Sequence, residues 1–384
     1  MLKANVGSSK LADARAAGLE AALAAKGALE DIKVAFVYCS CAYDVAAVMA
    51  GVAEALPGVP RLGNTSFTGV IVPDGYVGGD DPFVGVLVLS DPELKVCVAA
   101  AERTGCPVEL GKKMAEEATK CFGAKPDALY MAASPAEEEF WLKGISEVIG
   151  RIPFFGGSAA DNSIAGEWKL YCEDQVFADG CIMAAFYGLN IRNLYTGAYR
   201  ETDDFGVITK IDGNRVLCEI DGVPAAEKYM QWTGCDKEAV DGGNLLVTCI
   251  TSPIGVKDRL GDLIAIRHPM NGNPDGSFNV GNNLAEKTCV IRMEATVDEL
   301  IAYVGDTLTK LLASCDKKPA ALFLVHCGGR RAGIGDRLGE VVESIKGIAG
   351  DIPFLTEFTF GEYGFASDNN NTCGGLMLSF TALY

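Results

Sequence analysis

Strand-length runs of apolar residues recur along the chain, and the same series of elements follows each run. The first apolar runs cover 32–40, 127–134 and 320–327. Stretches with helical periodicity come next, at 44–56, 136–150 and 335–350. After a proline and a glycine- or hydroxyl-rich turn, a second apolar run closes each series, at 83–90, 181–187 and 375–380. The pattern predicts an imperfect internal repeat, in which one structural unit occurs three times.

This alternation also predicts the fold class. Near-continuous apolar runs are typical of strands buried on both faces, and a strand–helix–strand order is what a parallel strand pair requires. Between about 191 and 293 the pattern changes to short strand-like pieces, at 205–211, 216–220 and 244–251. The turn Asp212-Gly213-Asn214 predicts a hairpin there. We therefore expect an α/β protein with mixed sheets built from repeated strand–helix–strand units, and an inserted antiparallel, hairpin-rich section in the C-terminal half.

Charge limits the partners and the chemistry. The 384 residues include 33 Lys+Arg against 51 Asp+Glu, which gives a formal charge of −18, and only two histidines, His268 and His326. Basic runs are no longer than pairs such as Lys112-Lys113. Such a chain repels a phosphate backbone, so we expect no nucleic-acid partner. Few histidines also make metal binding and acid–base catalysis poor expectations.

The fourteen cysteines are scattered among apolar residues and form no CxxC pair. This distribution favours a reduced, cytoplasmic set of core thiols without a zinc site. Ser8-Ser9, followed by an alanine-rich run, predicts a capped amphipathic helix rather than a signal peptide. Apolar runs such as 181–187 are far shorter than the ~20 residues that cross a bilayer, so no membrane association is expected.

Five motifs in order resemble those of FIST domain proteins. They are FGVIT at 205–209 with 220–229, PFFGGSAADN at 153–162, CGGRR at 327–331, GEYG at 361–364, and the last strand. The similarity extends from about Leu11 to Leu383. It implies an N-terminal FIST-like domain at 1–212 and a C-terminal one at 213–384.

The resemblance implies a soluble intracellular sensory protein. The family's favoured ligands are small polar molecules, above all amino acids, and its domains signal to kinases, cyclases or chemoreceptors. Because the family pattern uses the whole chain, the resemblance implies that this signalling partner is a separate protein. Some members bind haem and report nitric oxide, although the stretch 370–375 carries no histidine where relatives often have one.

Candidate ligand residues follow the third unit's first strand. Gly328 and Gly329 would let the backbone approach a ligand, and Arg330 offers a planar fork for a carboxylate or phosphate beside Cys327. Glu362 lies in the equivalent turn, so an Arg330–Glu362 pocket would suit the two charges of an amino acid. The alternative is that the glycines only make a turn and that the two charges pair with each other.

The corresponding turns of the first two units carry further candidates. They are Thr65, Ser66, Gly157, Ser158, Asp161 and Asn162. Their side chains and backbone N–H groups could hold a polar ligand, and the alternative is that they only form turns.

Two other functions stay open. Cys327 could act as a nucleophile, but neighbouring strand residues face opposite sides, so His326 cannot easily serve it, and His268 could do so only through tertiary folding. Haem is a possible cofactor, with His268, His326 or a cysteine as axial ligand. We expect binding rather than catalysis, with no catalytic residue and no metal ligand.

Overall fold

The computed structural model describes residues 1–257, 264–365 and 371–384. Position 370, where the histidine-free stretch 370–375 begins, lies outside these residues. In the described part of the chain, no helix is both long and apolar enough to cross a membrane.

The first unit places two helices on one side of a sheet. Its elements are β1 Lys3–Ser9, α1 Ala14–Lys26, β2 Ile32–Cys39, α2 Val45–Ala55, β3 Arg61–Thr65, β4 Gly69–Val72, β5 Gly75–Gly78 and β6 Val84–Ser90. The expected helix cap at Ser8-Ser9 is wrong, because both serines lie in β1. Asp13 caps α1 instead, where its side chain accepts a hydrogen bond from the Ala16 amide.

Close packing of α1 on α2 depends on two glycines. A Cβ atom on Gly18 would lie 2.2 Å from the Val48 carbonyl oxygen, and one on Gly51 would lie 2.1 Å from that of Arg15. Any side chain at either position would push the helices apart.

The second unit repeats this order. Its elements are β7 Lys95–Glu102, α3 Pro107–Phe122, β8 Ala128–Ala133, α4 Glu138–Ile149, β9 Phe154–Ser158, β10 Leu170–Cys172, β11 Gln175–Phe177 and β12 Gly180–Tyr187. A disulfide joins Cys97 in β7 to Cys121 in α3. The expectation of a wholly reduced thiol set is therefore corrected. Packing of α3 on β7 brings these two cysteines together, and their spacing in the sequence gave no sign of it.

The third unit begins with β13 Ile191–Thr196 and is then interrupted by the insert. The insert contains β14 Arg200–Asp212, β15 Val216–Ile220, β16 Val223–Pro224, α5 Ala225–Thr233, α6 Asn244–Thr248, β17 Ile254–Lys257, β18 Ile264–Arg267, β19 Pro269–Gly272, β20 Phe278–Val280 and β21 Cys289–Glu294. Its strands form an antiparallel, nearly closed barrel-like sheet in the order β18-β17-β21-β14-β15-β20-β19. The expected hairpin at 212–214 joins β14 to β15.

One expected strand of the insert is wrong. Residues 244–251 begin with α6, because Leu245 and Cys249, four positions apart, are both fully buried, whereas Val247 between them is 69% exposed. This spacing places the two buried side chains on one face of a helical turn.

The third unit resumes after the insert. Its elements are α7 Val297–Ala313, β22 Ala321–Cys327, α8 Gly328–Ile334, α9 Leu338–Ala349, β23 Phe354–Thr359, β24 Glu362–Phe365, β25 Asn371–Gly374 and β26 Leu378–Leu383. The described strands and helices thus confirm the predicted fold class, including the repeated units and the antiparallel insert.

The three units share one strand order. It is β1-β6-β2-β3 in the first, β7-β12-β8-β9 in the second and β13-β26-β22-β23 in the third. In each unit the last two strands of this order are parallel, with the paired ends Cys39↔Thr65, Ala133↔Ser158 and Cys327↔Thr359. Thr65, Ser158 and Thr359 are therefore equivalent positions.

Each unit also lends a hairpin to the sheet of another. The β10–β11 hairpin of the second unit extends the first sheet at β3, and the β24–β25 hairpin of the third extends the second sheet at β9. The β4–β5 hairpin of the first unit extends the third sheet at β23. This cyclic exchange closes the three units into a pseudo-threefold arrangement.

The inner faces of the three sheets meet in a central core rich in aromatic rings. Phe323 of the third unit lies 5.4 Å from Phe36 of the first and 5.2 Å from Phe155 of the second, measured between ring centroids. Separate outer cores lie between each sheet and its own helices. Because these rings come from all three units, the central core ties the two halves of the chain together.

Candidate functional site

The ends of β3, β9 and β23 meet at one edge of the central core. The Ala160 amide donates to the Thr65 carbonyl oxygen at 2.9 Å, and the Ser158 amide donates to that of Gly361 at 2.7 Å. The Phe67 amide closes the circle by donating to the Phe358 carbonyl oxygen at 2.9 Å. The turns predicted as ligand sites in three distant parts of the sequence are therefore neighbours.

A cavity of about 450 Å³ lies beside these turns, between the first two units, the insert and the third unit. The first two units contribute Phe67, Pro135, Ala136, Ile164 and Trp168. Lining residues from the insert include Arg215, Leu246, Val247, Ile250, His268 and Met270. The third unit contributes Cys327, Gly328, Gly329, Ala332, Phe360 and Gly375. The size and the mostly apolar walls suit a small organic ligand.

Three of the predicted ligand residues lie in this wall. They are Cys327, Gly328 and Gly329, at the end of β22 and the start of α8. Burial raises the pKa of the Cys327 thiol, whose sulfur accepts a hydrogen bond from the Leu376 amide at 3.3 Å. The thiol is therefore protonated at neutral pH and contributes a weakly polar, uncharged group.

His268 and Cys327 both lie close to Gly329. A Cβ atom on that glycine would lie 3.3 Å from His268 Cε1 and 3.6 Å from Cys327 Sγ. The Nε2 atom of His268 is 3.1 Å from the Leu246 carbonyl oxygen, and burial lowers the pKa of the ring to about 4. Tertiary folding thus brings His268 and Cys327 close to the same glycine, and the imidazole is neutral at pH 7.

His326 lies elsewhere. It is fully buried, with Nδ1 2.9 Å from the Cys327 carbonyl oxygen and its ring 5.3 Å from that of Phe358. Burial and the neighbouring Arg330 guanidinium lower the His326 pKa to about 3. It is not among the described lining residues of the cavity.

Arg330 and Glu362 are fully buried and lie outside the described cavity wall. Arg330 Nη2 donates to the Leu300 carbonyl oxygen at 2.9 Å. Glu362 accepts from Thr359 Oγ1 at 2.9 Å and from the Met377 amide at 2.8 Å, and burial raises its pKa to about 8. The ion pairs of the described residues do not include one between Arg330 and Glu362. Their role in ligand binding stays a prediction.

The remaining candidates bond mainly to the protein itself. Thr65 Oγ1 accepts from the Lys169 amide, Ser66 Oγ donates to the Gly69 carbonyl oxygen, and Ser158 Oγ donates to Glu138 Oε1, at 2.7 to 2.9 Å. Asn162 Oδ1 accepts from the Thr68 amide at 2.8 Å. Gly157 lies too close to Thr359 for a side chain, since a Cβ atom would be 2.6 Å from Thr359 Cγ2. Thr65, Gly157 and Ser158 lie in strands β3 and β9 rather than in the predicted turns, and these contacts favour a structural role.

Asp161 organises the loop that follows it. Its carboxylate accepts hydrogen bonds from five consecutive amides, those of Ser163, Ile164, Ala165, Gly166 and Glu167. The loop supplies Ile164 to the cavity and leads directly to Trp168. Asp161 therefore positions two residues of the wall without lining it.

Arg215 is a charged residue of the cavity wall that the sequence did not reveal. Its Nη2 atom lies 2.6 Å from both Glu138 Oε2 and Glu139 Oε2, and its Nε donates to Asn283 Oδ1 at 3.2 Å. Burial raises the pKa of Glu138, and Arg215 opposes this effect. No local motif marks Arg215, because its partners lie in α4, more than seventy positions earlier.

A second cavity of about 230 Å³ adjoins the first and shares Pro135, Ala136 and Trp168 with it. Its wall includes Arg103, whose Nε lies 2.7 Å from Glu137 Oε2 and whose Nη1 lies 3.3 Å from Asp179 Oδ2. Among residues 1–257, 264–365 and 371–384, no cluster of three or more His, Cys, Asp or Glu could hold a metal ion.

Comparison with curated proteins finds one uncharacterized relative, from Methanocaldococcus jannaschii. It is 27% identical over 266 residues, which are 64% of this chain and 51% of the relative. The chain thus spans about half the length of the curated relative it matches.

Among solved structures, the chain is similar over its whole length to cyanuric acid hydrolase from A. caulinodans, with 99% of that chain covered, a TM-score of 0.40 and 10% identity. A second cyanuric acid hydrolase structure is covered over 100% of its chain, with a TM-score of 0.38 and 10% identity. These values are too low to assign a fold or an activity.

Two family models together match most of the chain. The FIST N domain matches residues 33–223 and the FIST C domain matches residues 225–364, so the two ranges meet at β16 and the start of α5. The expected boundary at 212/213 lies in the turn between β14 and β15. Matches that cover this much of the chain show that it belongs to the FIST family, whose domains are small-ligand sensory domains of signalling proteins.

Proposed function

We propose that this protein is a cytoplasmic receptor that binds one small, largely apolar ligand in the 450 Å³ cavity and passes its occupancy to a signalling partner, such as a kinase, a cyclase or a chemoreceptor. The observation that carries the proposal is the position of the cavity. Its walls come from both family-matched ranges, so a ligand there contacts the FIST N and the FIST C domain at once.

The walls favour an apolar ligand over the amino acid expected from the resemblance. An amino acid would need a positive group for its carboxylate. Arg215 is in the wall, but Glu138 and Glu139 already lie 2.6 Å from it. A carboxylate would therefore have to compete with two others for one guanidinium.

The contacts around Arg215 offer a way for ligand binding in the cavity to change the shape of the protein that the partner contacts. This side chain lines the cavity and at the same time joins the insert to the first turn of α4. A ligand that moved Arg215 would thus shift the insert against the second unit. Such a shift is the change in shape that a signalling partner would detect.

Binding is proposed rather than turnover. Cys327 and His268 are the residues of the described wall that could serve as a nucleophile and its base, but burial raises the pKa of the thiol and lowers that of the imidazole. Both shifts favour the neutral forms, so transfer of the thiol proton to the imidazole is disfavoured in the buried site.

Haem is the second candidate, and His268 is the observation that favours it. With Nε2 next to the Leu246 carbonyl oxygen, Nδ1 is the atom that would hold the iron, and the neutral ring suits that role. Bound haem would supply an iron centre for nitric oxide. A haem titration that left the Soret band unchanged would exclude this candidate.

The receptor proposal is tested by blocking the mouth of the cavity. Val247 lines the cavity and is 69% exposed, so Val247→Trp should fold normally and fill the opening. We expect thermal-shift screening with amino acids, aromatic amines, alcohols and acids to give hits that stabilise the wild type. A ligand at a hundred times its Kd stabilises by about 2.7 kcal/mol, which is readily detected.

The matched control is Leu23→Trp, which adds the same side chain at a half-exposed position of α1 away from the cavity. Hits should be lost in Val247→Trp and kept in Leu23→Trp. Equal stabilisation of both variants would place the ligand elsewhere and contradict the proposal.

A further inference from the structure

We propose that the 450 Å³ cavity selects organic cations, that is, ligands with an ammonium group on an apolar body, over neutral and anionic ligands of the same shape. This inference rests on the proposed function, because it names the chemical class of ligand for the same cavity. Two independent features carry it, the aromatic rings of the wall and the balance of charges around it.

The aromatic feature consists of three rings, one from each unit. Phe67, Trp168 and Phe360 all line the cavity. The centroid of the Phe360 ring lies 5.8 Å from that of Phe67 and 6.2 Å from that of Trp168, and the Phe360 and Trp168 planes are nearly perpendicular, at 89°. Aromatic faces carry negative electrostatic potential and attract a cation within about 6 Å. All three rings line the cavity, so an ammonium group bound there would lie beside aromatic side chains.

The charge feature concerns the two arginines. Arg215 in the large cavity faces Glu138 and Glu139, and Arg103 in the adjoining cavity faces Glu137 and Asp179. Each guanidinium therefore has two carboxylates beside it. With one of its two carboxylates protonated, each guanidinium is still balanced by the other carboxylate. Arg267 interacts with Glu139 and Arg215 and adds one further positive charge near the first group, which is therefore neutral only when both Glu138 and Glu139 are ionised. An anionic ligand would have to displace a carboxylate, whereas a cation would not.

No other charge in the described wall offsets this balance. Apart from Arg215, the titratable lining residues are His268 and Cys327. Burial lowers the His268 pKa to about 4 and raises that of Cys327, so both are uncharged at neutral pH. The formal charge of −18 on the whole chain adds a weak, salt-screened attraction for cations.

The test uses three probes that share one skeleton. They are 3-phenylpropylamine, 3-phenyl-1-propanol and 4-phenylbutyrate, which present an ammonium, a hydroxyl and a carboxylate on the same phenylpropyl body. Affinities are measured by isothermal titration calorimetry at neutral pH and low salt. We expect the amine to bind roughly tenfold more tightly than the alcohol, and the butyrate to bind more weakly than the alcohol.

A matched pair of variants assigns the selectivity to the rings. Phe360→Leu removes an aromatic face from the wall but keeps an apolar side chain there. Phe122→Leu makes the same change on the surface of α3, where Phe122 is 43% exposed. In Phe360→Leu the preference for the amine should fall to roughly threefold or less, with the alcohol affinity nearly unchanged. Phe122→Leu should behave like the wild type.

Each outcome decides one of the two proposals. If the alcohol or the butyrate binds at least as tightly as the amine, cation selectivity is overturned while the receptor cavity stands. If Phe360→Leu weakens all three probes equally, the ring contributes packing only, and the aromatic basis of the selectivity is overturned. If none of the probes binds at millimolar concentration, both the selectivity and the receptor proposal are overturned.

Discussion

At the scale of single residues, a chain of buried polar groups crosses the central core from unit to unit. Tyr38 donates to the Tyr130 hydroxyl at 3.0 Å, Tyr130 donates to Asn64 Oδ1 at 3.1 Å, and Asn64 Nδ2 donates to Glu357 Oε2 at 2.9 Å. Burial raises the pKa of Glu357 to about 8. The core thus contains a carboxyl group that keeps its proton at neutral pH.

This pKa predicts how stability changes with pH. In the unfolded chain a Glu has a pKa of about 4.3, so between roughly pH 5 and 8 the folded form holds a proton that the unfolded form has lost. The contribution of Glu357 to the free energy of unfolding should therefore fall as pH rises through this window, by an amount on the order of a few kcal/mol. In urea unfolding, Glu357→Gln, which cannot ionise, should lose less stability than the wild type between about pH 5 and 8. Part of the pH dependence should stay, because burial also raises the pKa of Glu362 to about 8 and lowers that of His268 to about 4.

Glu117→Gln is the control, because Glu117 is exposed on α3. That variant should keep the wild-type slope. Parallel slopes in wild type and Glu357→Gln would show that the buried carboxyl does not set the pH dependence.

The candidate residues show what a local pattern can reveal. Gly328 and Gly329 were predicted from their place at the end of a strand, and they do line the cavity. Arg330, chosen for its guanidinium, points into the protein and contacts Leu300. The pattern placed the glycines at the end of a strand, but it could not show that Gly328–Ile334 forms a helix, which leaves Arg330 outside the described cavity wall.

At the scale of elements, the loop at 163–167 depends on one side chain. Asp161 accepts hydrogen bonds from five amides, and four of these bonds measure 2.8 to 3.2 Å from the amide nitrogen to the carboxylate oxygen. Regular helix or strand bonds would otherwise satisfy such amides. In this loop a single carboxylate takes the place of such bonds. The loop therefore keeps its shape and holds Ile164 and Trp168 at the cavity.

Removing that carboxylate should open the loop. Asp161→Ala leaves five amides without their acceptor, so we expect a loss of roughly 2–4 kcal/mol in the free energy of unfolding. Faster hydrogen exchange should be confined mainly to 163–167, and any ligand of the cavity should bind more weakly. Exposed Asp80 provides the control variant, Asp80→Ala, which should leave both measurements unchanged. Unaltered exchange in the loop of Asp161→Ala would contradict its organising role.

At the scale of the whole molecule, the hairpin exchange joins the two family-matched ranges. In β4, Ile71 pairs with Thr356 of β23 and packs in the core between the third sheet and its helices, with residues such as Leu300 and Val341. A residue of the FIST N range thus completes the core of the FIST C range. The two ranges are therefore not independent folding units.

This dependence predicts a single unfolding transition in calorimetry. Ile71→Ala should lower that transition and cost about 2–5 kcal/mol, because it leaves a cavity in a core of the C-terminal half. Val86→Ala, in the outer core of the first unit, should lower the same transition. A C-terminal transition that separates from the rest and is unaffected by Ile71→Ala would show that the halves fold independently.

The sequence by itself determined one strand, the helix after it and the closing strand of each unit, and the change to antiparallel pairing in the insert. These features depend on local periodicity and turn residues, which are readable in a single chain. By contrast, the sequence described the segments of β3, β9 and β23 as turns. It could not show that 244–248 forms a helix, because burial of Leu245 and Cys249 depends on their neighbours in space. The disulfide between Cys97 and Cys121 was hidden for the same reason.

Only the tertiary structure decided how the units assemble and where a ligand fits. The exchange of hairpins pairs strands that are hundreds of positions apart, and the cavity takes Trp168, Arg215, His268 and Phe360 from four separate segments. Side-chain direction and charge balance at such a place depend on which strands become neighbours. That choice is made by the burial of all three sheet faces in one core, so no local pattern records it.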